Sequence, residues 1–228
     1  MIPTNILFRV FQIRCGSGTG TIFALDFESR QYLVTASHIV GEFADGQIEI
    51  RHDDAWKTLR VEFVGSTNEH LDVSVFAAEI LLCSAEFTAE PSLAGALLGQ
   101  EMHFLGFPFG WRGPSTDLLR RAPLPFVKRA SLSMLDVQNG NMFLDGMNNP
   151  GFSGGPVVFR VLARNEWRIG GVVTGYHDVS DYIQVNGEST SLQYYSNSGL
   201  IYVTPIKKIL EVIKGNPIGF LLSEITVK

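Results

Sequence analysis

The chain has 228 residues, 45% of them hydrophobic, which suits one compact unit or two small subdomains sharing an interface. A net charge of −5 leaves no basic footprint and argues against nucleic acid as a partner. No apolar run reaches membrane-span length, and the first apolar stretch, 6–14, is interrupted by Arg9, Gln12 and Arg14.

That first stretch lacks a basic leader region and a small-residue cleavage site. It therefore reads as a strand and not as a signal peptide, and the expected location is cytoplasmic. Further strand-like runs follow at 19–25, 31–36, 47–52, 58–64 and 71–77, separated by turn residues. An alanine- and leucine-rich connector spans 78–99. A second set of six runs lies at 100–107, 127–136, 141–145, 156–162, 167–176 and 199–203. No long helices alternate with these strands, so the fold class is all-β and not a parallel α/β sheet. One helix closes the chain: Thr204 is the expected cap, Pro205 the first helical residue, and Ile206, Ile209, Leu210 and Ile213 line one face up to Gly215. Its position implies packing on the second group of strands. Two polar segments interrupt the second half: 111–125, with Trp111, Arg112, Arg120 and Arg121, reads as a long loop, and 177–198, rich in Ser, Asn, Asp and Tyr, as either a functional loop or an exposed hairpin. Cys15 and Cys83, the only two cysteines, read as buried thiols and not as a disulfide framework.

The segment Met147-Asn148-Asn149-Pro150-Gly151-Phe152-Ser153-Gly154-Gly155-Pro156 carries the strongest chemical signal. A nucleophilic serine needs small neighbours that admit a carbonyl, and glycine angles that aim N–H groups at an oxyanion. His38, at the end of an apolar strand, and Asp72, inside the apolar run 71–77, precede Ser153 in the chain. A carboxylate in such a run requires a hydrogen-bond partner, and a histidine N–H supplies one. His, Asp and Ser in this order suggest an acyl-transfer triad. His52 sits in a charged turn, His70 on the face opposite Asp72, His103 within a strand and His177 at a loop, so each competes poorly with His38.

Asn149-Pro150-Gly151-Phe152-Ser153-Gly154-Gly155 resembles the Asn-Pro-Gly-x-Ser-Gly-Gly signature of the HtrA/Deg branch of trypsin-like serine proteases. Gly106-Phe107-Pro108-Phe109-Gly110, Gly18-Thr19-Gly20-Thr21, Thr35-Ala36-Ser37-His38 and Gly199 to Pro205 are similar to other segments of that family, so the resemblance runs from about residue 15 to 214. It implies a chymotrypsin-like pair of six-stranded antiparallel β-barrels with a C-terminal helix. Residues 1–99 would form the first barrel and connector, carrying His38 and Asp72, and 100–228 the second barrel and helix, carrying Ser153. By the same resemblance the N–H groups of Gly151 and Ser153 form the oxyanion hole, and no metal or cofactor is called for. Protein or peptide substrates are expected. Met147 and Asn148, with Thr174, Gly175 and Tyr176, would line the primary specificity pocket, and without a carboxylate at Met147 a preference for Arg or Lys is not expected.

Phe152 occupies the position where digestive trypsins carry the Asp that captures a new N-terminus, so zymogen-style activation is not expected. About a dozen residues follow the final helix, with no PDZ module among them, so regulation is expected from the polar loops or a protein partner. A competing reading is a non-catalytic or latent binding module on a protease scaffold. Gly151-Phe152-Ser153-Gly154-Gly155 also fits the nucleophile elbow of an esterase, but that fold needs a helix after the serine, and Val157-Val158-Phe159 is strand-like.

Overall fold

Short apolar runs, joined in three places by two-residue turns, build the first half of the chain. In the computed structural model, residues 1–41, 43, 46–84, 88–115, 122–136 and 138–224 are described. Arg120 and Arg121 of the first polar segment lie outside them.

The first six strands are β1 (Val10–Cys15), β2 (Gly18–Phe27), β3 (Arg30–Ala36), β4 (Gln47–His52), β5 (Ala55–Ser66) and β6 (Val73–Ala78). Antiparallel pairing runs β3-β2-β1-β4-β5-β6, and β6 returns to β3, which closes a barrel. A barrel removes the unpaired sheet edges that would otherwise invite aggregation. Its interior holds Ile13, Ile22, Leu33 and Phe76, all at most 1% exposed. At one end Arg9, also 1% exposed, forms a 2.5 Å ion pair with Asp26, whose other oxygen accepts from Gln31. The carboxylate thereby has the partners that a buried charge requires.

The second six are β8 (Glu101–Gly106), β9 (Phe126–Asp136), β10 (Asn141–Asp145), β11 (Pro156–Val161), β12 (Glu166–Val185) and β13 (Glu188–Pro205). They pair in the order β11-β8-β9-β10-β13-β12, and β12 returns to β11, closing a second antiparallel barrel. A two-residue strand in the connector, β7 (Glu90–Pro91), adds parallel to β12. Another near the C-terminus, β14 (Phe220–Leu221), pairs with β3. This all-β architecture of two six-stranded barrels and a C-terminal helix is the chymotrypsin-like fold expected from the sequence.

Several local expectations differ from the structure. Residues 6–7 belong to a helical turn, α1 (Thr4–Leu7), stabilised by Phe8 N–H donating to Thr4 O, so the first strand starts at Val10. The final helix, α3 (Ile206–Gly215), has Pro205 as its N-cap; Thr204 does not cap it but donates from Oγ1 to Leu71 O at 2.5 Å. The helix contacts β5 and β6 as well as β12 and β13, so it bridges both barrels and does not serve the second alone. Of the two readings of 177–198 the structure has the hairpin: the segment continues β12 and β13 as an exposed two-stranded ribbon, turned at Asn186–Gly187, where both φ angles are positive.

Candidate active site

The turn leading into β6 presents the acidic member of the site. Asn68 accepts from Leu71 N–H on its side chain and from Asp72 N–H on its carbonyl, while Thr67 Oγ1 accepts from Val73 N–H. This network puts Asp72 in the left-handed region, at φ 51°, just before the strand and not within it. Asp and Asn tolerate that region better than other side chains. The carboxylate accordingly escapes the burial that an apolar strand position implied.

His38 sits in a single helical turn, α2 (Ser37–Val40), that ends β3. Ser37 N–H donates to the Asp72 carbonyl at 2.9 Å, His38 N–H to Asp72 Oδ1 at 2.9 Å, and His38 Nδ1 lies 2.5 Å from Asp72 Oδ2. Backbone and ring are thus bound to one carboxylate, which fixes the imidazole and leaves Nε2 without a partner among the described residues. The His38 side chain is 51% exposed.

Ser153 comes from the second barrel, on the turn between β10 and β11, half-buried. Gly151 adopts φ +102° and Gly154 φ +81°, conformations that glycine takes without penalty. A Cβ on Gly151 would collide with the Phe107 carbonyl, and one on Gly154 with the carbonyl of Thr21 and the hydroxyl of Thr35. The carbonyls of the turn are engaged by neighbouring donors. Pro150 O accepts from Phe109 N–H at 2.8 Å, Gly151 O from Thr21 Oγ1 at 2.7 Å, and Ser153 O from Thr21 N–H at 3.0 Å. The N–H groups of Gly151 and Ser153 have no acceptor among the described residues. Gly154 also lies against the backbone of Ala36, at the start of α2, so the serine turn and the His38 turn abut. No hydrogen bond joins His38 and Ser153.

The expected specificity residues are arranged less simply. Asn148 is 1% exposed, donates to Gly175 O at 3.3 Å and accepts at its own carbonyl from Asn197 at 2.8 Å. Thr174 Oγ1 donates to Tyr202 O at 3.4 Å, Tyr176 is half-buried on the same strand, and Met147 is exposed. Thr174 and Gly175 line a cavity of about 510 Å³ together with His70, Asp72, Phe143 and Tyr202. His70, expected on the face opposite Asp72, opens onto the same space: residues two apart share a face even in an alternating strand, so that expectation did not follow. It is held 2.7 Å from Asn141 Nδ2. His177 lies within β12 and not at a loop, 2.9 Å from the Tyr202 hydroxyl. His103 is packed in β8 beside Trp167, and burial pushes its pKa down. His52 ends β4, 3.3 Å from Asp53. Among the described residues no cluster of metal-ligating side chains occurs. No described helix is long and apolar enough to cross a membrane.

Thr21 was not singled out by sequence, yet it touches the serine turn through both its N–H and its hydroxyl. Its only signal is its place in the Gly18-Thr19-Gly20-Thr21 run, which reads as a plain strand.

Two closed barrels that abut at a His–Asp pair and a glycine-rich serine turn make the chymotrypsin-like fold, the fold of trypsin-like serine protease domains. The chain is similar in structure to an inactive serine-to-alanine mutant of Rv3671c from M. tuberculosis, at 15% identity and TM-score 0.58, covering 98% of this chain and 91% of that one. It is similar to the serine endoprotease from Yersinia pestis, at 15% identity and TM-score 0.59, covering 98% of this chain and 69% of that one. It is also similar to the HtrA-type protease AlgW with a bound tripeptide, at 20% identity and TM-score 0.60, over 93% of this chain; there it spans only 61% of the other chain. No protein-family model matches the chain, and no curated protein matches its sequence.

Proposed function

We propose that this chain is a serine endopeptidase acting through His38, Asp72 and Ser153. The observation that carries the reading is the double hold of Asp72 on His38, at N–H and Nδ1, beside a serine turn whose two N–H groups are free. Ser153 Oγ attacks the peptide carbonyl carbon and its proton passes to His38 Nε2. Asp72 keeps the Nδ1 proton in place and stabilises the imidazolium. The carbonyl oxygen, now negative, is held by the N–H groups of Gly151 and Ser153. Collapse breaks the C–N bond, His38 returns the proton to the leaving amine, and water hydrolyses the acyl-enzyme by the same steps in reverse.

Substrates are proteins or peptides, with small or medium apolar side chains before the scissile bond, since no carboxylate stands among Met147, Asn148, Thr174, Gly175 and Tyr176. Activity is under the control of the polar segments 111–125 and 177–198 or of a protein partner in the cytoplasm, with neither nucleic acid nor membrane involved. The strand β11 directly after Ser153 speaks against the esterase reading. The missing His38–Ser153 hydrogen bond favours a latent form as the second reading, although such bonds often tighten only when substrate binds. Peptide-library profiling of the full chain and of Ser153→Ala tests the proposal. Cleavage after apolar residues by the first and none by the second is expected; hydrolysis by purified Ser153→Ala, or dominant cleavage after Arg or Lys, contradicts it.

A further inference from the structure

Beneath the serine turn, strand β9 presents Lys128. Its ammonium donates to the carbonyl of Met147 at 2.6 Å and to Oδ1 of Asn149 at 2.5 Å. It also stands 5.6 Å from the ring centroid of Phe152, within cation–π range. Lys128 faces Phe104 directly across the β8–β9 ladder, and the Phe104 ring meets the Phe152 ring edge-on at 4.9 Å. The residue just before Ser153 therefore rests on a cross-strand pair, one member apolar and one charged.

Among the described residues no carboxylate pairs with Lys128. The neighbouring charges, Arg129 on β9 and Glu101 on β8, pair with each other at 3.2 Å. Arg129 projects to the opposite side of the strand, as successive strand residues do. No titratable side chain faces the ammonium from 147–149, Phe104 or Phe152, so its charge is met by a carbonyl, an amide oxygen and a ring. Gly146 to Pro150 belongs to no helix or strand, and a long lysine pinned at both ends of its neighbours holds it against β9.

We propose that Lys128 is a positioning residue: by tying Met147 and Asn149 to β9 it fixes Phe152 and, through it, the Gly151 and Ser153 N–H groups. The catalytic consequence rests on the serine-protease reading; the structural consequence does not. Burial pushes the Lys128 pKa below its ordinary 10.5, so the tie is lost at less alkaline pH than a free lysine would require. In that window the unfolded chain binds more protons, so folding stability rises with pH while activity falls. A merely structural lysine would not separate the two in this way.

The test compares the full chain with Lys128→Met, Lys128→Gln and Lys128→Arg, each checked for folding by circular dichroism. Lys128→Met should lose about 10²–10³-fold in kcat, the loss typical of one oxyanion donor, with KM little changed. Lys128→Arg should recover part of kcat and lose the alkaline fall, because a guanidinium does not titrate there. If Lys128→Met does not fold, Lys128→Gln against Lys128→Arg decides between length and charge. Hydrogen exchange at the bonded amides of Asn149 and Phe152 should be at least about tenfold faster without the charge, the step expected when a charged tie of about 1.4 kcal/mol or more is lost. Wild-type kcat and unchanged exchange in Lys128→Met and Lys128→Gln would overturn the proposal. If the wild type neither cleaves peptides nor labels with a fluorophosphonate, the protease reading fails, and the exchange measurement alone still decides the role of Lys128.

Discussion

The two barrels hold their parts of the site in different ways. In the first, the His38–Asp72 pair is made within one barrel: three contacts join α2 to the Asp72 turn, and Asn68 and Thr67 set that turn locally, while Thr204 and Asn141 of the second barrel reach only its neighbours Leu71 and His70. In the second, the serine turn is held largely from outside its own loop. Its carbonyls are bonded to Thr21 of the first barrel and to Phe109, and Lys128 of β9 holds its entry. A local network forms whenever its barrel folds. A turn whose fastenings come from another barrel is correct only when the two barrels are correctly seated. On the proposed mechanism, the geometry of the Gly151 and Ser153 N–H groups is thus the part of the site open to control.

The largest expected effects come from the reacting groups themselves. Ser153→Ala or His38→Ala should each reduce turnover by on the order of 10⁶-fold with folding intact, measured by steady-state peptide hydrolysis and circular dichroism. Next comes Asp72→Asn, which keeps the shape but favours the wrong imidazole tautomer, with an expected loss of on the order of 10⁴-fold. Wild-type activity in that variant would mean that another carboxylate orients His38.

The comparison is sharpened by Thr21→Val. The substitution removes the hydroxyl donor from the Gly151 carbonyl and leaves that carbonyl and Phe107 N–H only their long 3.3 Å contact with each other, and it adds no volume. Leaving such groups unmet costs roughly 1–3 kcal/mol, and turnover should fall by about 10²-fold, while the His38–Asp72 hydrogen bond, read from the Nδ1 proton by NMR, stays unchanged. A change at Nδ1 would show that the two halves are not held independently. The smallest effect on stability is expected from replacing 177–198 by a tight turn. Val179, Tyr182, Ile183, Val185, Leu192, Tyr194 and Tyr195 are all exposed, so little core is lost and Tm should move by no more than about 2–4 °C. Activity should change if this ribbon regulates the site, and unchanged activity would remove it from that role.

The barrels were legible because apolar runs of strand length, broken by turn residues, are a direct reflection of β geometry. The serine turn was legible because a close backbone approach demands glycine at Gly151 and Gly154. The ribbon was legible only as one of two readings, loop or exposed hairpin, although Asn186-Gly187 is the strongest short hairpin signal there is. Its flanks alternate polar with apolar residues but face solvent on both sides, so composition looked like a loop. Asp72 was placed in a strand because its neighbours are apolar, and nothing in the sequence reveals that Asn68 draws the chain into a left-handed turn. Thr21 and Lys128 were silent for another reason: their roles exist only across 130 residues and 21 residues of sequence respectively, in contacts that folding alone creates.

Intact-protein mass spectrometry after treatment with a fluorophosphonate, with the site mapped by peptide digestion, tests the central claim most directly. A serine activated by His38 and facing two free N–H groups should add one phosphonyl group, on Ser153, with no addition in Ser153→Ala or His38→Ala. A folded wild-type chain that takes up no label, or labels at another residue, would contradict the account.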